Sequence, residues 1–183
     1  PHRPKPAGLP PRIRGPLHPR RALPPRAPLR LCHITPLPLT HYKTATTPQA
    51  EACGVASALN DVSARTIQNQ HKQWYRGKSL DGFTPMGPWI VTPEEFDVRK
   101  SRKIQSRING ELRQDSTTDR MIFHVPYVIT ELSQGMTLRP GTIISMGTPA
   151  GVGMGFDPPK WLHPGDVVAC SIEGIGTLTN TVR

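Results

Sequence analysis

Apolar and polar positions fall into their clearest order after residue 101. Ile104 and Ile108 flank alternating polar residues. Asn109-Gly110 is the strongest two-residue hairpin signal in the chain, and Glu111–Gln114 can return as the second strand. Ile122, Val125, Val128, Ile129 and Leu132 then recur at helical spacing and predict a helix over 122–134, with Pro126 in its first turn and Gly135 at its end. Arg139-Pro140-Gly141 reads as a turn, Thr142–Met146 as an apolar strand entering a glycine-rich loop, and Leu162–Asp166 as a second turn. Val167–Ile172 and Gly176–Val182 alternate as a strand pair.

Upstream the pattern is weaker. Glu51–Asn60 is small and apolar, as expected of a buried segment, and Ser63–Trp74 is polar enough for a short helix or a turn. Residues 83–93 are rich in Gly, Pro and Trp and predict a rigid loop with a short strand at Trp89-Ile90-Val91. The sum is a strand-rich α+β domain with one clear helix and no internal repeats.

Composition divides the chain near residue 50. A chain of 183 residues supports one good core. The net charge of +10 suggests a nucleic-acid binder, but residues 1–50 hold nine Lys or Arg and no acid, while residues 51–183 hold the other 14 against all 13 acids. The basicity therefore belongs to the tail. Thirteen of the 22 prolines lie in the same stretch. Proline fixes φ and removes a donor, so the segment 1–49 is expected to be disordered or polyproline-like and to hold no interior strand, with the folded domain at 50–183. Its acid-free, Arg-rich start has the charge of a mitochondrial transit peptide but no Ser in the tail, and its prolines break the helix such peptides need. The chain opens on Pro1, the start expected of a fragment. Three cysteines without metal-ligand spacing favour reduced thiols and an intracellular, cytoplasmic or mitochondrial setting. No apolar run is long enough for a membrane span. Trp74, Trp89 and Trp161 are not interleaved with basic residues, which argues against a nucleic-acid stacking platform.

Three blocks carry the candidate chemistry. They are Leu59–Gln68 (LNDVSARTIQ), Gly77–Trp89 (GKSLDGFTPMGPW) and Gly147–Gly155 (GTPAGVGMG). Asp61 with Arg65 and Gln68 could form a helix cap with a surface ion pair, Lys78 could be solvated, and the glycine loop could be a tight connection after a buried strand. His71, His124 and His163 are scattered singly and read as structural or exposed. In this order and spacing, however, the blocks resemble the fumarylacetoacetate hydrolase family, over about residues 50–183. The resemblance implies a mixed β-roll or sandwich with few helices and divalent-metal chemistry on 2-oxo or enol acids in a homodimer. It implies Asp61 as a ligand of Mg²⁺ or Mn²⁺, since hard cations take oxygen ligands. It implies Lys78 and Thr148 as catalytic and substrate-binding residues, and Arg65 and Gln68 as further substrate contacts. A lysine there would hold a carboxylate or steady an enolate, and a hydroxyl with backbone amides suits a carboxylate. Asp81 in the second block is expected to bond loop amides. Asp115, Ser116 and Asp119 are expected to shape a turn and cap the helix.

The resemblance fails upstream. The family takes two more metal ligands from a Glu-x-Glu strand some thirty residues before the Asp block, and here the only acid before Asp61 is Glu51. The His–Glu pair of the family's hydrolases has no counterpart, since no Glu accompanies His18 or His33. The Pro- and Arg-rich start reads as an out-of-frame or intronic translation in place of the family's N-terminal strands. One carboxylate holds Mg²⁺ weakly, so the chain is expected to bind metal poorly and to be nearly inactive. C–C hydrolysis of an acylpyruvate and isomerisation or keto–enol tautomerisation, as of oxaloacetate, stay open together. So do a non-catalytic role as dimer partner or binding module and a salt-sensitive role of the tail on an acidic surface.

Overall fold

The computed structural model describes residues 31–36, 56–71 and 74–183. Among them, eight strands form two antiparallel four-stranded sheets. The strands are β1 (Leu31–Pro36), β2 (Ala56–Asn60), β3 (Met86–Val91), β4 (Lys103–Ile108), β5 (Glu111–Thr117), β6 (Ile143–Ser145), β7 (Val167–Ile172) and β8 (Gly176–Thr181). The first sheet runs β3-β2-β1-β6 and the second β5-β4-β7-β8. Three α-helices, α1 (Arg65–His71), α2 (Trp74–Lys78) and α3 (Val125–Gly135), and two 3₁₀ turns, Thr118–Arg120 and Gly153–Gly155, complete the described elements. The expected strand-rich α+β architecture is present.

The second sheet follows from local signals. Asn109 and Gly110 both take positive φ, 51° and 85°, the backbone a two-residue hairpin needs to match strand twist. The Asn109 side chain reaches across to the 163–166 turn. Its Nδ2 donates to Asp166 Oδ1 at 2.8 Å, and its Oδ1 accepts from the Val167 amide at 2.8 Å. Along β4, Ile104, Ser106 and Ile108 alternate inward. Ile104 and Ile108 join Val168, Cys170 and Ile172 of β7 and Leu178 of β8 in the main core, which Ala56 and Ala58 of β2 close from the first sheet. Burying each large aliphatic side chain contributes about 1.5–3 kcal/mol.

All five residues of β2 are buried, so this strand has cover on both faces. α3 buries Val125 and Ile129 against Leu138 and against Ile144 of β6 in a second cluster. The helix begins at Val125, later than the spacing predicts, and Ile122 is 89% exposed outside it. Pro126 explains the difference. A proline has no N–H and disfavours α geometry in the residue before it, so it sits in the first turn and the helix does not extend back. Asp119 lies in a 3₁₀ turn (Thr118–Arg120) and accepts from Ser101 Oγ, and Asp115 accepts from Gln105, so neither caps α3; its N-cap position is His124.

One strand departs from expectation. β1 lies within the proline-rich stretch, yet it pairs on both sides, with β2 and with β6. The sequence permits this because residues 29–35 form a proline-free window between Pro28 and Pro36, and Pro36 stands at the strand's last position. The rest of 1–49 lies outside the described residues.

Candidate active site

β2 ends at Asn60, and the chain turns at once into Asp61–Ala64 and then α1. α1 and α2 pack closely because Gly77 has no side chain. A β-carbon there would stand 3.0 Å from Gln68 Cβ and 3.1 Å from the Ala64 carbonyl. The Ala64 amide donates to the Gly77 carbonyl at 2.7 Å, closing the junction. The residue after Gly77 is thereby delivered over the turn that follows β2. Lys78 Nζ ion-pairs with Asp61 Oδ2 and donates to Ser63 Oγ at 3.1 Å. The pair is largely shielded, with side chains 20% and 15% exposed. An ammonium has three N–H donors, so the two described partners leave one for a ligand.

Behind this pair Arg65 Nη1 donates to Gln68 Oε1, and both side chains are buried. Asn60 Oδ1 and Gln68 Nε2 are buried with no hydrogen-bond partner among the described residues. Such atoms are costly to leave unsatisfied. Asp61 thus meets Lys78, and four of the five expected site residues (Asp61, Arg65, Gln68 and Lys78) gather at the end of β2.

Thr148 stands in the loop after β6. Gln114 Nε2 donates to Thr148 Oγ1 at 2.8 Å and to the Pro149 carbonyl at 2.9 Å. Gly151, at φ 98°, could carry no β-carbon: the atom would fall 1.9 Å from the Arg113 carbonyl. The loop is thus pressed onto β5. Thr148, Gly147 and Pro149 line a cleft of about 540 Å³, with Arg120, Ile122 and Phe123 on its other side. Phe123 and Tyr127 stack at 5.1 Å beside it.

Thr148 follows β6, and Asp61 of the Lys78 cluster follows β2. The sheet relates them. Ser57 of β2 and Ser145 of β6 both pair with Ile34 of β1. Antiparallel to the same strand, β2 and β6 run parallel to each other and leave the same end of the sheet. Asn60 is three residues beyond Ser57, as Thr148 is beyond Ser145. Ser57 and Ser145 lie two strand spacings apart, roughly 9–10 Å, and β2 continues to Asn60 while β6 ends at Ser145.

The described residues do not fit a divalent cation. Among the described residues, no three His, Cys, Asp or Glu side chains converge. Asp61 is the one carboxylate described in the cluster, and the Lys78 ammonium already lies against it. A second cation there would meet like charge and gain one anionic ligand.

Sequence reasoning missed Gln114 and Ser106. Ser106 Oγ donates to Gln114 Oε1 at 2.9 Å, and the two residues face each other across β4 and β5. The signal was present: Ser106 sits on the inward-facing row between Ile104 and Ile108, where a polar residue must have a buried partner.

The family model described as fumarylacetoacetate (FAA) hydrolase, C-terminal, matches residues 49–183. The chain belongs to the fumarylacetoacetate hydrolase family. Among curated members, it is 48% identical over 124 residues to the oxaloacetate tautomerase YisK of Bacillus subtilis, an alignment covering 68% of this chain and 41% of that protein. The chain thus spans about two fifths of the length of the curated family members it matches. Among solved structures, the fumarylacetoacetate hydrolase of Exiguobacterium antarcticum superposes with a TM-score of 0.83 at 45% identity, covering 86% of this chain and 57% of the other. The 2-hydroxyhepta-2,4-diene-1,7-dioate isomerase of Mycobacterium marinum gives 0.76 at 36% identity, over 85% and 58% of the two chains. The fumarylacetoacetate hydrolase fold is therefore shared across the described sheets. No helix among the described residues is long and apolar enough to cross a membrane.

Proposed function

We propose that this chain carries the anion-binding part of a site for 2-oxo or enol acids, with keto–enol tautomerisation or isomerisation as the chemistry it supports best. The observation that carries the reading is Lys78, held by Asp61 and Ser63, at the same sheet end as Thr148. The names of the tautomerase and the isomerase among the relatives point the same way.

Thr148 and the neighbouring loop amides would take the substrate carboxylate. The remaining N–H of Lys78 would face the 2-oxo oxygen, where negative charge gathers as the adjacent C–H proton leaves. An ammonium already fixed by two partners stabilises that charge without reorganising. Arg65 and Gln68 would lie behind the substrate. Tautomerisation needs only that one proton leave carbon and one reach oxygen, whereas hydrolysis must also activate water. The metal ligands of the family's reaction are incomplete in these residues, so Mg²⁺ or Mn²⁺ would bind weakly and turnover would be impaired. Pairing as a homodimer belongs to the same proposal.

Enol decay of oxaloacetate, followed by absorbance with and without Mn²⁺, tests this against the Bacillus subtilis relative. The expected rate is at least about a hundredfold below that relative's. A matching rate would refute the impairment. The Lys78–Asp61 pair also favours a second reading, a non-catalytic binding module. Saturable oxaloacetate binding with no turnover at all would select it, and the absence of binding would reject both.

A further inference from the structure

We infer that Gln114 is a positioning residue that decides where the Thr148 hydroxyl donates, an inference that rests on the anion-site reading above. The geometry leaves one arrangement. The Pro149 carbonyl only accepts, so the atom facing it at 2.9 Å must be the Gln114 amide nitrogen. That orientation turns Gln114 Oε1 to the Ser106 hydroxyl at 2.9 Å, which must then donate. The second N–H of the same nitrogen goes to Thr148 Oγ1 at 2.8 Å. Thr148 therefore accepts from Gln114, and its own hydrogen is directed off Gln114.

The relay is rigid. Gln114 is 1% exposed and Ser106 is equally buried, and the two are directly paired across β5 and β4, beside a register shift between Ser106 and Arg107. The loop is also packed closely on β5, where Gly151 meets the backbone of Arg113, the neighbour of Gln114. A hydroxyl beside a glycine loop would otherwise rotate among its staggered positions and donate to any nearby carbonyl. With an N–H aimed at its oxygen, it is preset as a donor, the role an anionic ligand requires. Gln114 contacts no ligand in this scheme; it acts through Thr148.

Oxalate is the probe, since its adjacent oxygens present the carboxylate and oxo groups of a 2-oxo acid. Calorimetric titration of the full chain, Gln114→Met, Thr148→Val and the double variant forms a thermodynamic cycle. Gln114→Met should weaken oxalate about tenfold when Thr148 is present and have no further effect in the Thr148→Val background. An equal loss in both backgrounds would mean that Gln114 only supports the loop, and would overturn the inference. Thr148→Ser keeps the hydroxyl and should keep the sensitivity to Gln114→Met; loss of that sensitivity would likewise overturn it. If the wild-type chain binds no oxalate, the anion-site reading fails, and the relay is read by NMR. Both Gln114 side-chain N–H protons should then exchange slowly, and Thr148→Val should expose one of them. Two rapidly exchanging protons, or no change in the variant, would refute the relay even where a variant folds poorly.

Discussion

The two sheets differ in how far along the chain their strands lie. In β5-β4-β7-β8, two of the three pairings are tight hairpins, one turned by Asn109-Gly110 and one by the three residues after Ile172. In β3-β2-β1-β6, β1 pairs residue 34 with residue 145, and β2 reaches β3 past two helices. Closing long loops costs entropy before any contact is gained. The locally wired sheet holds Ser106 and Gln114 of the neutral relay, whose third member, Thr148, follows β6 of the other sheet. The distantly wired sheet holds the ion pair of Asp61 and Lys78. The candidate chemistry thus rests on one sheet built of two hairpins joined by the distant pairing of β4 with β7, and one whose described pairings include no tight hairpin.

The sharpest way to break this contrast is to weaken the local sheet itself. Ile172→Ala should cost about 2–5 kcal/mol in denaturant unfolding, because Ile172 is fully buried in the shared core. Leu59→Ala probes the distant sheet; if the two sheets fold as one unit, both variants will move a single transition. Gly151→Ala should cost about 3 kcal/mol and open the loop to proteolysis, since the added carbon collides with the Arg113 carbonyl at a positive φ. A cleavage pattern unchanged from wild type would detach the loop from β5. Lys78→Ala should lower oxalate affinity about tenfold and also lower the unfolding midpoint, because it takes the cation from a largely shielded Asp61 carboxylate. Gly110→Ala should cost about 1 kcal/mol, the penalty of a β-carbon at φ 85° in the hairpin.

The smallest expected effect concerns pH. The His163 amide, and then the Asn109 side chain, hold the Asp166 carboxyl below its ordinary value against a modest burial cost. A depressed carboxylate stabilises the fold above its unfolded pKa, and that contribution fades as pH falls through the folded value. Stability should therefore fall on acidification below the normal aspartate range, and Asp166→Asn should flatten that slope. An unaltered slope in the variant would assign the acid sensitivity to other groups.

The legibility of the molecule follows the same division. Asn109-Gly110, the alternation along β7 and β8 and the 3.6-residue spacing of α3 were readable because each is settled within a dozen residues. The α3 start was misplaced by three residues because Ile122 continues the apolar spacing while Pro126 forbids the turn. β1 was not readable, since its strand character comes from two partners remote in sequence and proline density masked its short open window. Asp61 and Lys78 were singled out by block resemblance, but their contact depends on Gly77, whose missing side chain mattered only once α1 and α2 were packed. Gln114 escaped because glutamine in a strand has no chemistry of its own to announce it.

β1 has a consequence for how this protein tolerates change. Its contribution to the site is a measuring edge: main-chain pairing sets Ser57 of β2 and Ser145 of β6 level with each other on either side of Ile34, and so fixes one exit relative to the other. A side-chain exchange along β1 leaves that edge intact, whereas a one-residue slip against only one neighbour would displace one exit from the other by about 3.4 Å. Insertions and deletions there should therefore be far more damaging than substitutions, and a segment of foreign composition can serve in that place if its backbone keeps count.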